Sequence, residues 1–170
     1  MRWIWIDKFI EFTSRESAAA VKTCTLAEDH IHDLYPDFPI MPHSLIVEGM
    51  AQTAGMLVGE ARDFKEKVVL AKVGRATFYH IVRPGETIIF RARVEQMHDH
   101  GASITGTVEA TTDSINDQNF RGRPVADIEL MFSHIDQNMS GLKFPKENFV
   151  FTSQFTDLLV TYRRGLDIKL

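Results

Sequence analysis

The apolar positions of this chain fall into distinct regimes. From Trp3 to Phe12 aromatic and β-branched residues crowd together, with Trp3, Ile4, Trp5 and Ile6 adjacent, as in a buried strand. Ser14 to Ser17 forms a polar turn and Ala18 to Leu26 a second strand, which predicts a hairpin with the first. Asp29 to Pro42 contains Pro36, Pro39 and Pro42. Each proline removes a backbone donor and holds its predecessor extended, so no helix is expected in this stretch. A helix then runs from Ser44, its expected N-cap, to about Arg62. Leu45, Ile46, Val47, Met50, Ala51 and Ala54 leave hardly any polar face, and a helix of that kind belongs inside a protein. Gly49, Gly55 and Gly59 interrupt it, each at a cost of about 1 kcal/mol against alanine, which predicts close packing at those points.

Beyond Lys67 the pattern becomes that of strands. Val68 to Phe78, Thr87 to Gln96, Ala102 to Thr111 and Val125 to Ile135 are four candidates. Pro84-Gly85, His98 to Gly101 and the polar run Thr112 to Pro124 are the turns between them. Two strands, a buried helix and four more strands fit an antiparallel sheet curled around a central helix. At the end of the chain Thr152 caps a packing helix whose Phe155, Leu158, Leu159 and Tyr162 share one face, with Gly165 expected to stop it.

Composition narrows the class. With 170 residues, 44% hydrophobic and 25% charged, the chain has the makings of one ordinary folded domain. The longest stretch without Asp, Glu, Lys or Arg is the 11 residues from Gly49 to Gly59, against roughly 20 for a membrane span. Asp7 and Lys8 stand where a signal peptide would place its apolar core, so the amino terminus is expected to be a strand. Cys24, the single cysteine, can form neither an internal disulfide nor a cysteine-based zinc site, and a reducing cytoplasm is the natural setting. A net charge of −4 argues against general nucleic-acid affinity.

One residue does not suit a buried helix. Glu48 lies among Val47, Gly49, Met50 and Ala51, where a lone carboxylate is costly. Gln52, one turn on, is placed to hydrogen-bond it. Two explanations stand side by side at this stage: acid–base chemistry on a carbonyl compound near a helix start, or a structural Glu bound to an arginine from a strand.

The run Phe38-Pro39-Ile40-Met41-Pro42-His43-Ser44-Leu45-Ile46-Val47-Glu48-Gly49-Met50-Ala51-Gln52 resembles the active-site signature of the β-hydroxyacyl-(acyl carrier protein) dehydratases. Trp5 to Lys8, Ala76 to Phe78, Arg83 to Glu86 and Ala126 to Phe132 resemble further segments of that family, so the likeness covers about residues 3 to 135. It implies an α+β hot-dog fold, with a hot-dog domain over residues 1–138 and an extension bearing the packing helix over 139–170. The implied activity is loss of water from a 3-hydroxyacyl thioester in fatty-acid or related lipid biosynthesis, without cofactor or metal. In the family a histidine and a glutamate from two subunits do this chemistry. Glu48 matches the glutamate, whereas Leu34 stands at the histidine position and His43 replaces the glycine at the helix start.

His32, displaced by two residues from Leu34, and His43 are the candidate substitutes for the base, with His30 a weaker third. Backbone donors of His43 and Ser44 are the expected thioester-oxygen site, and Met50, Met56, Phe78 and Phe90 the expected acyl tunnel. Two alternatives need no histidine: a thioesterase using Glu48 with Gln52, and a silent acyl-thioester-binding paralogue. Acyl carrier protein or coenzyme A thioesters are the expected partners. Lys72, Arg75, Arg121 and Arg123 are candidates for docking an acidic carrier. A half-built site further implies a two-fold homodimer, or a trimer of such dimers.

Overall fold

The computed structural model describes residues 3–33, 35–113, 122–135 and 150–167. Leu34 and Arg121 lie outside the described residues. The elements follow in the order β1 (Lys8–Thr13), β2 (Ser17–Thr23), α1 (His30–Asp33), α2 (His43–Glu60), β3 (Lys67–Phe78), β4 (Thr87–His98), β5 (Gly101–Thr111), β6 (Arg123–Ile135) and α3 (Ser153–Asp167). The six strands form one sheet in the order β1-β2-β4-β5-β6-β3, antiparallel at every junction.

Register explains how the sheet makes a core. Ala20 pairs with Phe90, Phe90 with Val108 and Val108 with Ala126, and all four are buried in one cluster. The neighbouring row runs Ala18, Ala92, Gly106 and Ile128. Small residues in these rows leave room for α2, which packs against β2, β3, β4, β5 and β6. A Cβ on Gly49 would lie 2.4 Å from Phe90 Cζ, and one on Gly106 2.5 Å from Met50 Sδ. Those two contacts are why glycine is needed on the helix and on the facing strand.

The α+β hot-dog arrangement expected from the sequence is present, a sheet of six strands against one central helix. Several boundaries differ. The first strand begins at Lys8 rather than Trp3, because the backbone of Trp3 and Trp5 is bonded to the side chain of Gln52 instead of a neighbouring strand. A short helix, α1, occupies part of the loop expected to be helix-free. It ends before Pro36, and its start is set by bonds from Ile31 N–H to the Glu28 carbonyl and His32 N–H to the Asp29 carbonyl. Ser44 is not the N-cap of α2: Pro42 holds that position, and its carbonyl accepts from Leu45 and Ile46. Gly165 lies inside α3 rather than ending it. With no positive φ there, nothing at Gly165 departs from helical geometry.

The C-terminal helix packs on the domain as its pattern predicts. Phe155 and Leu159 join the core, with Leu158 and Tyr162 half-buried beside them. Arg163 closes the contact through a 2.5 Å bond to Glu60, whose other oxygen accepts from Ser14 at 2.6 Å.

Candidate functional site

The amino-terminal segment crosses the first turns of α2 and meets its polar residues there. Gln52 Oε1 accepts from the Trp5 backbone N–H at 2.7 Å. That bond fixes the amide's orientation, so its NH₂ group faces the Trp3 carbonyl at 3.1 Å and Glu48 Oε1 at 2.9 Å. Trp3 Nε1 donates to the same Glu48 oxygen at 3.0 Å. One carboxylate oxygen is therefore held from two directions, and Oε2 has no hydrogen-bond partner among the described residues. Glu48 is half-buried, not largely buried as the apolar run predicts, because it stands at the mouth of a cavity.

That cavity measures about 650 Å³. Trp3, Glu48 and Gln52 are among its polar lining residues. Ile4, with Ala51 and Gly55 of α2, Val68 and Leu70 of β3 and Phe132 of β6, also lines it, and Val150, Phe151, Thr152, Gln154 and Phe155 contribute the remaining wall. A carboxylate with one unpartnered oxygen, bordering a cavity that mixes polar and apolar surface, can move a proton on a bound substrate.

The other candidate residues are placed elsewhere. His32 is exposed and its Nε2 lies 3.0 Å from the Leu26 carbonyl. The His43 ring is exposed and stacks on Phe78, with centroids 4.0 Å apart and planes 5° from parallel. His30 meets Trp5 edge-on at 4.7 Å. None of the three lines the cavity. The backbone N–H groups of His43 and Ser44 have no backbone partner among the described residues, as expected for a helix start, but they too lie outside the cavity lining.

The residues expected to line an acyl tunnel lie apart from this cavity. Met50, Met56 and Phe90 are fully buried core residues, Phe78 is half-buried under His43, and none of the four borders the cavity. Phe90 and Met50 fill the space that Gly49 and Gly106 leave, so they serve the contact between helix and sheet. Of the docking candidates, Arg75 is engaged with Glu129 at 2.6 Å and Arg123 with Glu86 at 2.7 Å, while Lys72 is exposed on β3.

Trp3 is a site residue that the hydrophobic pattern hides. Its apolar neighbours make it look like part of a strand, and only the long-range bond to Glu48 separates it from them. The aromatics of 150–155 were equally hard to find, since their helical spacing points to packing.

Comparison with known proteins sets this geometry in a family. The model of the FabA-like domain matches residues 4–119. A 3-hydroxyacyl-[acyl-carrier-protein] dehydratase FabZ of Polynucleobacter asymbioticus is 37% identical over 95 residues, 55% of this chain and 64% of that protein. The matched stretch thus spans a little under two thirds of that relative's length. FabZ of Caldanaerobacter subterraneus is 34% identical over 56% of this chain and 68% of its own. FabZ of Listeria welshimeri is 29% identical over 79% and 87%.

Among solved structures, the dehydratase heterocomplex ApeI:P of Xenorhabdus doucetiae aligns with a TM-score of 0.62 at 12% identity, over 79% of this chain and 84% of that one. The E. coli PaaI protein aligns at 0.57, also at 12% identity, over 77% and 80%. Those two likenesses show the fold alone. The family match is carried by the sequence through the stretch that contains Glu48 and Gln52, and on it this chain belongs to the FabA-like family.

Proposed function

We propose that this chain is a dehydratase-like enzyme acting on 3-hydroxyacyl thioesters of acyl carrier protein, in the cytoplasm, in fatty-acid or related lipid biosynthesis. The observation that carries the reading is Glu48 at the cavity mouth, with Oε1 held by Gln52 and Trp3 and Oε2 unpartnered among the described residues. FabZ relatives and the FabA-like match support the dehydratase class.

Among the described residues of one chain no imidazole lines the cavity, and in this reading Glu48 cycles the proton alone. Oε2 takes the proton from C2 of the substrate, and the thioester oxygen carries the developing charge. The electron pair left on C2 becomes the C2–C3 double bond as the C3–O bond breaks. Glu48 returns its proton to the leaving hydroxyl, which departs as water, and the carboxylate is regenerated. A two-fold pairing of chains is what brings the free amides of a second helix start, at His43 and Ser44, to the thioester oxygen.

The test is side-by-side incubation with 3-hydroxyacyl and saturated acyl thioesters, following alkene formation and free thiol. Alkene is expected from the first and no thiol from the second. Glu48→Gln should lower alkene formation by about a hundredfold or more, with His32→Ala and His43→Ala close to wild type. Loss of activity in either histidine variant would overturn the single-carboxylate mechanism.

A second reading, a thioesterase in which Glu48 activates water, is favoured by one observation, that no imidazole lines the cavity among the described residues of the single chain. Thiol release without alkene, abolished by Glu48→Gln, selects it. Thioester binding with neither product selects a silent binding subunit.

A further inference from the structure

The FabA-like match ends at residue 119, yet Val150, Phe151, Thr152, Gln154 and Phe155 line part of the cavity that Glu48 borders. That wall is held firmly. The tip of the Phe151 ring meets α2 where Gly59 has no side chain: a Cβ there would be 2.3 Å from Phe151 Cζ. Phe64 meets the same ring edge-on at 5.0 Å. One turn later Phe155 is anchored in the core, and Arg163 pins the far end of α3 to Glu60 at 2.5 Å. The cavity has the volume typical of small-molecule sites; Trp3, Glu48, Gln52, Thr152 and Gln154 give it polar groups, and aliphatic and aromatic side chains such as Val68, Leu70, Phe132 and Phe151 supply its apolar surface. A molecule that fits has a polar reactive head and an aliphatic body.

We infer that the aliphatic chain of an acyl thioester lies along this cavity, from Glu48 towards Phe151 and Phe155, and that the Val150–Thr152 wall sets the longest chain accepted. Chain-length selection in this protein is thus a property of its C-terminal extension rather than of the FabA-like domain. The inference rests on the dehydratase-like reading for the head of the substrate, while the seat of the aliphatic chain is open to a separate measurement.

Calorimetric titration of the full chain with saturated acyl-coenzyme A, from butanoyl to hexadecanoyl, measures it without turnover. Wild type should gain affinity with each added pair of methylenes up to a plateau. Thr152→Trp, which adds bulk at an exposed position bordering the cavity, should move the plateau to shorter chains. The longest chain accepted by wild type should then bind at least about tenfold more weakly, with butanoyl binding unchanged. Phe151→Leu should move the plateau to longer chains, and Val150→Ala serves the same purpose if the first variant does not fold. An identical plateau in wild type and the folded variants overturns the inference, as does affinity that ignores chain length. If the binding profile shifts as expected but no alkene forms from 3-hydroxyacyl thioesters, the dehydratase reading fails and the chain-length wall stands.

Discussion

At the scale of single residues, two donors on one oxygen decide how Glu48 presents itself. Gln52 and Trp3 both bind Oε1, so rotation of the carboxylate is restrained and Oε2 is the oxygen left without a hydrogen-bond partner among the described residues. Trp3→Phe keeps the ring and deletes the donor. Because Trp3 is 60% exposed, that bond is worth about 1 kcal/mol, and kcat should fall roughly fivefold with little change in KM. An equal fall in Trp3→Ala and Trp3→Phe assigns the effect to the hydrogen bond, and a normal kcat in Trp3→Phe assigns no positioning role to the indole.

Cys24 is the opposite case, a group removed from chemistry by its surroundings. Burial, with the nearby Glu28 carboxylate adding to it, pushes its thiol from 9.0 up to about 11. Between those values the unfolded chain releases a proton that the folded chain keeps, so this contribution to stability is complete below pH 9 and is lost as pH rises to about 11. The melting temperature of wild type relative to Cys24→Ala should therefore decline between pH 8.5 and pH 10.5, as followed by circular dichroism.

At the scale of elements, α2 is held by the fit between its glycines and the rings that cover them. A methyl at Gly49 would meet the buried Phe90 ring at 2.4 Å, whereas one at Gly55 would meet Phe132 at an ordinary 3.6 Å. Gly49→Ala should cost about 1–3 kcal/mol through overpacking, while Gly55→Ala should be neutral or up to about 1 kcal/mol stabilising through helix propensity. Urea unfolding of the two variants distinguishes them, and equal stabilities would show that the contact at Gly49 relaxes freely. From the sequence the two glycines look alike, because the difference lies in the strand residue opposite each one. The same limit applies elsewhere. Periodicity located α2 and four long strands within a few residues, since each buries a face along its own length. It misplaced the start of the first strand, because the Trp5 N–H and the Trp3 carbonyl are satisfied by the side chain of Gln52, nearly fifty positions away, rather than by a neighbouring strand. The motif from Phe38 to Gln52 made Glu48 and Gln52 legible, as the bond between them is local to one helix turn. The cavity was not legible, because it joins α2 to β3, β6 and the C-terminal segment, contacts that no local pattern encodes.

At the scale of the whole molecule, β3 is the sheet edge beside the site. All but its first three and last residues are exposed on the single chain, and Leu70, Val73 and the neighbouring Met131 are 39%, 41% and 49% exposed. A 12-residue strand edge with apolar side chains is a template for pairing with another chain. Leu70 and Val68 also line the cavity, so a second copy paired here lies next to Glu48. Light scattering coupled to size exclusion should give a dimer at micromolar concentration, and Val73→Glu should shift it toward monomer with loss of turnover. A wild-type monomer would refute the pairing. The dimer also gives Leu34 a testable meaning. In the family that this chain resembles, the histidine of one subunit serves the glutamate of the other, and here that position carries leucine. Leu34→His in the dimer should raise alkene formation by about a hundredfold or more, the usual contribution of a positioned base. The same substitution in the Val73→Glu monomer should leave alkene formation unchanged, because no second chain is present to deliver the imidazole. A gain in the monomer equal to that in the dimer would place the histidine on the same chain as the Glu48 it serves.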